Sequence, residues 1–550
     1  MWLINTHNFE LVRKDNYREN SYAILSHTWE DDEVSFQEFR DPDPSVARRK
    51  KGFAKIEKTV LMARERGLNW AWVDTCCIDK TSSAELSEAI NSMYKWYEDS
   101  AVCFAYLSDM PTHPDILSQQ PDDLWQLWKT KLKACKWLTR GWTLQELIAP
   151  MYVEFYDMQW NLIGDKKQSS ALLEEITRIP RRIIEPYRHP NGLRYQPQHE
   201  PIACRMSWAS SRETTRIEDT AYCLLGIFGI NMPLLYGEGA KAFIRLQEEI
   251  CKQTTDMSLF AWKASPPPSI GEPEQEFRGL FANHPCEFSE GHFMSIYNMG
   301  YTGEITITNR GIRFDGLNLR VNPEHGILME IGCRKKYRHG VNYPGMRQYI
   351  CLAKVPRGFV RHNPYKLFDD TSQTEKEIVM FQPRIYIPKD LPQADAFNIA
   401  TQYNDALFVG FSGPIKNIIA RPSDLWDPHR KAFLVGSSQE RFAIHLTVGS
   451  AIETSKLLGE PFIVVILLEG YIEYRVLSTD DEEFHALLPI LEKEQPIPHI
   501  WHFDWVTDPG SNGQPFTKTG DRFEVTVIGE SDHRENDWIQ IKVESHDLQS

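Results

Sequence analysis

Two hydrophobic periods alternate along the first 160 residues. "YAIL" (22–25) is a short apolar run that ends in the polar turn Ser26-His27. Residues 52–66 place Phe53, Ile56, Val60 and Ala63 at helical spacing, and Gly67 stops the pattern. "WAWVDTCCI" (70–78) reads as one continuous β-type run. Ser82 and Glu85 read as a capping box ahead of Leu86, Ile90, Met93, Tyr94 and Tyr97 on a second amphipathic helix. "AVCFAYL" (101–107) and "YVEFY" (152–156) supply a third and a fourth strand. Strands apolar on both faces, alternating with helices, require a parallel sheet covered on both sides. The expectation for residues 1–160 is a doubly wound, flavodoxin-like α/β domain. Ligands of such sheets sit beyond the carboxyl ends of the strands, here Ser26-His27-Thr28-Trp29, Asp74-Thr75 and Ser108-Asp109.

The pattern changes further on. Residues 110–135 break the alternation with Pro111, Pro114 and Pro121, and then Leu124, Trp125, Leu127 and Trp128 suggest a helix or flap. Residues 161–262 read as a mainly helical segment, with "TTRIEDTAYCLLGIF" (214–228) and the amphipathic "GEGAKAFIRLQEEI" (237–250). A Pro-rich linker follows at 263–278. Residues 279–550 read as a mostly-β domain, a sandwich or a barrel, from alternating runs at 303–314, 461–477, 521–529 and 538–545.

Composition narrows the classes. The 550 residues are 41% hydrophobic and 25% charged, ordinary for a globular protein of several domains. A net charge of −15 argues against a broad nucleic-acid surface, and Arg48-Arg49-Lys50-Lys51 reads as a solvated helix start. The longest apolar run, Phe462 to Leu468, falls far short of the ~20 residues that span a bilayer. The opening "MWLINTHNFELVRK" has no signal-like apolar core, so a cytoplasmic protein with no membrane span is expected. The ten cysteines include no CxxC pair, which suggests reduced thiols and no metal site. No GxGxxG, GxxxxGK[ST], HExxH or GxSxG motif occurs, so no resident cofactor is expected; "GEG" (237–239) reads as a turn plus N-cap.

One stretch stands out, "RGWTLQEL" (140–147). On a helical wheel Leu144, Leu147 and Ile148 face the sheet, while Trp142 and Glu146 are neighbours on the opposite side with Gln145 beside them. A tryptophan off the core face needs a cover, whether a domain, a partner chain or a ligand. Arg140 is placed to pair with a nearby carboxylate.

Three longer stretches, "YAILSHTWED", "WAWVDTCCIDKTSSAELSEAINSMYKWYEDSAVCFAYLSD" and "WLTRGWTLQELIAP", resemble the heterokaryon-incompatibility (HET) domain of filamentous fungi. "RMSWASSRETTRIEDTAYCLLGIFGINMPLLYGEGAKAFIRLQEEI" resembles the segment that often follows it. The resemblance covers about residues 1–262. It implies nonself recognition and programmed cell death when incompatible hyphae fuse, with an unidentified incompatibility partner protein. HET domains are similar, more distantly, to Toll/interleukin-1 receptor (TIR) domains, whose helix carries Trp-x-x-x-Glu. Trp142 and Glu146 match that spacing, with Thr143 where TIR domains often have Cys and with residues 110–135 inserted. The TIR resemblance implies that Glu146 is catalytic in cleaving NAD, as substrate, at the nicotinamide–ribose bond. It also implies that activity needs self-association through this domain.

Such a site calls for an accessible hollow at the sheet's edge. Around it Ser26, His27, Trp29, Ser108, Arg140 and Trp142 are the candidate binding residues. Each has a structural alternative: His27 as a hydrogen-bonding residue, Trp29 as a wedge for its loop, and Asp74 and Asp79 as caps. The run Asp31-Asp32-Glu33 reads as a solvated loop that would repel a diphosphate. Two further roles stay open, a non-catalytic oligomerisation module and a β-rich tail that senses or restrains the first domain.

Overall fold

The computed structural model describes residues 1–19, 21–112, 129–185, 195–265 and 275–296, and most of 303–545. The helix or flap expected at Leu124–Trp128 and most of the linker, 266–274, lie outside the described residues. The chain divides into two compact units. One is Met1–Ser265 with Phe281–Thr302 and Ile331–Gln348; the other is Pro266–Leu280 with Gly303–Glu330 and Tyr349–Ser550.

The first unit contains one seven-stranded sheet. Its strands are β1 (Trp2–Asn5), β2 (Leu11–Arg13), β3 (Tyr22–His27), β4 (Trp70–Trp72), β5 (Val102–Tyr106), β6 (Val153–Tyr156) and β7 (Leu162–Asp165). Their order is β2-β1-β4-β3-β5-β6-β7. The four central strands run parallel, and antiparallel strands close both edges. All six residues of β3 are buried, as a strand covered on both faces requires. The chain leaves β3 to reach β4 on one side and later β5 on the other, so the order reverses at β3.

Among the described residues seven helices lie between the strands of this region: α1 (Phe36–Phe39), α2 (Ser45–Arg48), α3 (Phe53–Glu65), α4 (Asp74–Cys77), α5 (Ser83–Glu98), α6 (Lys136–Thr139) and α7 (Thr143–Ile148). In α3 the spaced residues Phe53, Ile56, Val60 and Ala63 are all buried, and Gly67 follows at φ 73°. Ser82 caps α5 by accepting the Glu85 amide at 3.3 Å. The reciprocal bond differs from a capping box, because Glu85 accepts the Asp79 amide instead.

The run 70–78 does not form one strand. Its register with β3 ends at Ile24↔Trp72, and Asp74 starts a helical turn closed by the Cys77 amide on the Val73 carbonyl at 2.8 Å. Cys76, Cys77 and Ile78 are apolar because they are buried, not because they are strand. None of the ten cysteines is in a disulfide, and nine of them are buried.

Residues 161–262 begin with β7 and continue through short helices, among them Ile202–Ser207, Asp219–Tyr222 and Leu225–Phe228, to the longer Lys241–Gln253. The "GEG" stretch is a turn: Gly237 and Gly239 sit at φ 104° and 63°. Their amides bind the Glu218 carboxylate at 2.8 and 3.1 Å, so an internal anion already fills that turn. Gly226 packs so closely on α5 that an added Cβ would collide with Tyr94 Cβ. Gly226→Ala is therefore expected to destabilise this unit by roughly 1–3 kcal/mol through overpacking. A thermal melt checks it, and the cost should be smaller in a Tyr94→Gly background, where the Cβ it meets is gone.

The second unit is β-rich. Ile305–Thr308 and Gly311–Asn322 form a hairpin, and Ile378–Ile387 pairs along the latter strand. Two further sheets share one core, in which Phe442, Ile444, Phe462 and Val464 pack with Val525, Val527, Ile539 and Ile541.

Candidate functional site

The reversal of strand order at β3 brings four elements to its carboxyl end. Ser26, in β3, donates its hydroxyl to Glu146 on α7 and accepts the Trp137 indole N–H from α6 at 2.7 Å. An indole nitrogen only donates, so Trp137 leaves the Ser26 proton directed at Glu146. The Tyr97 hydroxyl on α5 bonds the Leu25 carbonyl at 2.9 Å and is also in hydrogen-bond contact with Glu146. Glu146 is 5% exposed.

This placement overturns two expectations. Glu146 faces the sheet, not the opposite side, and it does not open into an accessible hollow. Trp142, half-buried, gives its indole N–H to Asp219 instead of sharing a surface with Glu146. The physical reason is that α7 has six residues, all buried, with the sheet on one side and residues 212–223 on the other. Arg212 donates to the Arg140 carbonyl at 2.8 Å and to Thr143 Oγ1 at 3.0 Å. A Cβ on Gly141 would meet Thr214 Cγ2 at 2.5 Å. A wheel assumes one wet face, and this helix has none. The Arg140 side chain has no ion-pair partner among the described residues, so the expected carboxylate pairing is not made.

Burial, followed by the charge of Asp74, pushes the Glu146 carboxyl up to about 8. Bonds from Ser26 and Tyr97 and the field of Arg212 pull the other way without restoring it. At neutral pH the folded chain therefore holds a proton that an unfolded chain, with a carboxyl at 4.5, has released. Stability tied to this group is whole below pH 4.5 and is lost as pH rises towards about 8. Glu146→Gln is expected to remove that dependence. Melting wild type and variant from pH 5 to 8.5 should show their midpoints separating upward, with the variant the more stable at the alkaline end.

His27 and Trp29 meet Asp74 beside this carboxyl. The buried His27 ring has Nδ1 3.8 Å from Asp74 Oδ1 and Nε2 3.7 Å from Glu33 Oε1. Trp29 donates to Asp74 Oδ2 at 2.7 Å, and its ring is 54% exposed with the Lys80 ammonium 3.5 Å from the ring centre. Burial would raise the Glu33 carboxyl, yet His27 and Lys55 hold it down to about 2. Glu33 is thus part of the site and not of a solvated loop; Asp32 is tied to the Lys51 amide at 2.9 Å. Ser108, past the end of β5, bonds Glu30 on the same edge. Asp109 accepts the Lys136 amide at 2.9 Å, and Asp79 closes its turn on the Thr81 amide at 2.9 Å.

The structure therefore brings Ser26 and Glu146 into contact and links His27 and Trp29 through Asp74. Ser108 lies on the same edge, and Arg140 and Trp142 face elsewhere. Tyr97, Trp137, Glu33 and Lys55 join the site without being singled out as its residues from the pattern, and Asp74, read as a strand end with capping as its alternative, joins it as well. Among the described residues His27 Nε2, Asp74 Oδ1, Thr75 Oγ1, Gln145 Nε2 and Arg212 Nη2 are buried with no hydrogen-bond partner. Buried polar atoms are nearly always satisfied, so the pair on His27 and Asp74, beside Glu146, suits a polar ligand or ordered water.

A parallel-centred α/β sheet with a buried carboxyl at the carboxyl end of its central strand is the frame of this first unit. Residues 22–146 match the family model described as Heterokaryon incompatibility protein (HET), a span from the start of β3 to Glu146. The chain carries a HET domain. Residues 241–295 match a domain of unknown function, DUF8212. Over 235 residues the chain is 45% identical to Vegetative incompatibility protein HET-E-1 of Podospora anserina. That span is 42% of this chain and 16% of the relative's length. A crystal structure of the Xerocomus chrysenteron lectin XCL is 13% identical, covers 25% of this chain and 95% of its own, and has a TM-score of 0.18, too low to define a common fold. No helix among the described residues is long and apolar enough to cross a membrane.

Proposed function

We propose that this chain is a cytoplasmic heterokaryon-incompatibility protein that mediates nonself recognition and cell death, and that its HET domain acts by hydrolysing NAD at the nicotinamide–ribose bond. The HET match and the likeness to a vegetative incompatibility protein support the first part. One observation carries the second. Glu146 is held by Ser26 at the carboxyl end of β3, the end where ligands of parallel sheets sit, with the charge of Asp74, whose Oδ1 is buried without a hydrogen-bond partner, beside it.

Cleavage of that bond builds positive charge on the ribose as neutral nicotinamide departs, and water then attacks the sugar. A carboxylate against the ribose stabilises that charge, and no strong general acid is needed. Glu146 is the carboxylate in this reading, and the exposed face of Trp29 takes the nicotinamide ring. The resting site is closed and protonated, so activity needs Glu146 uncovered and ionised. Self-association of HET domains, with a neighbouring copy completing the pocket, supplies that opening. Incubating the full chain with NAD and measuring nicotinamide tests the reading, both dilute and concentrated enough to associate. Release that rises more than in proportion to protein concentration supports it; no release at any concentration removes it.

The burial of Glu146 favours a second reading, a non-catalytic module that assembles and recruits death effectors. It predicts that a host expressing Glu146→Gln dies as readily as one expressing wild type, without NAD loss.

A further inference from the structure

A groove of about 1130 Å³ lies in the second unit, lined in part by the strands Ile378–Ile387 and Ile415–Arg421. Six of its lining residues are cations: Arg310, Lys354, Arg384, Lys416, Arg421 and Lys431. No Asp or Glu is among the described residues that line it. The whole chain carries −15, so this wall has the sign opposite to the protein's average, and an anion is what it attracts.

The cations are not equivalent. Arg384 is paired with Asp315 at 2.9 Å, and Arg421 donates to the Leu491 carbonyl at 2.8 Å. Arg310 lies 4.2 Å over Tyr386, Lys354 4.5 Å over Phe359 and Lys431 5.7 Å from Phe411, so three aromatic faces are used by the groove's own charges. Lys416 is exposed and has no ion-pair partner among the described residues. Phe381 stands in the same groove with 62% of its surface open. An anion-attracting wall thus sits beside an open ring.

We propose that this groove binds a nucleoside polyphosphate, with phosphates on Lys416, Lys431 and Arg310 and the base stacked on Phe381. The volume lies just above the usual range for small ligands, about 300–1,000 Å³, and has room for a mono- or dinucleotide. A long nucleic-acid strand fits less well, because it would run past the six cations onto a protein of net charge −15. A phosphorylated lipid headgroup offers the same phosphates but brings acyl chains in place of a planar ring. The site is independent of the role given to Glu146.

Calorimetric titration of the full chain with ATP, with inorganic tripolyphosphate and with vesicles containing phosphatidylinositol 4,5-bisphosphate tests this. Saturable ATP binding is expected, weakening with salt. Lys416→Ala with Lys431→Ala should weaken it at least about tenfold, a loss of two charge-assisted contacts. Phe381→Ala should weaken ATP and leave tripolyphosphate unchanged. All three side chains are exposed, so the variants should fold, and an unchanged melt verifies that. Absence of saturable ATP binding, binding indifferent to these substitutions, or binding to the vesicles alone overturns the proposal.

Discussion

Glu146→Gln is expected to lower nicotinamide release by at least about 100-fold, the usual cost of removing a charge placed against a transition state, without unfolding the HET domain. The amide is nearly isosteric and keeps an oxygen for the Ser26 hydroxyl, so the bonded pair at the end of β3 survives. What it lacks is the capacity to become negative. Because the buried carboxyl carries a proton at neutral pH, its pKa being pushed up to about 8, the variant resembles the resting protein in charge and removes only the ionised form. A structural role for Glu146 would give the opposite pair of results: release unchanged wherever wild type releases nicotinamide, and stability lowered. Measuring both on one preparation separates the roles.

Lys166→Met is expected to destabilise the HET domain by roughly 2–4 kcal/mol, the scale for stripping donors from several buried acceptors. Lys166 is 1% exposed and spends its ammonium on the carbonyls of Leu147, Ile148 and Pro150 at 2.9, 3.3 and 2.6 Å. These belong to the last turn of α7 and the residues after it, which lack helical partners of their own. A cation there also suits the negative end of the helix. Methionine fills the space and leaves the carbonyls unsatisfied, although relief from burying a charge offsets part of the cost. Since α7 carries Glu146, the same change should loosen the Ser26 contact. Hydrogen exchange at Thr143–Ile148 should rise before the rest of the domain melts; protection equal to wild type would show that α7 is held by packing alone.

The parallel core was legible because its signal is local. β3, β5 and β6 are apolar runs between helical patterns, and α3 and α5 repeat their apolar residues at clear spacing. The edges were not. β1 and β2 are four and three residues long and mix polar with apolar positions, so the hairpin they form left no period to read. The run 70–78 misled because burial alone made Cys76, Cys77 and Ile78 apolar, and composition does not separate a buried turn from a buried strand.

The site divides in the same way. Ser26, His27 and Trp29 were found because strand ends of such sheets hold ligands. Glu146 was found by its spacing from Trp142, although the two turn out to have different partners. Glu33 and Lys166 left no mark, one inside an acidic run and the other in "GDKKQ". Their roles depend on contacts between segments far apart in the chain, with Glu33 meeting His27 and Lys55, and Lys166 closing α7. Neither a period nor a motif records such contacts.

The most direct measurement is the pH profile of nicotinamide release by the full chain, at a concentration where it is active. If Glu146 must lose its proton before the closed site can open, the rate should climb about tenfold per pH unit from 6 and level off near 8, where the carboxyl of the closed site titrates, and Glu146→Gln should show no such climb. A rate that stays flat from pH 6 to 9, or a climb that persists in Glu146→Gln, would contradict a reacting carboxyl held protonated at the end of β3.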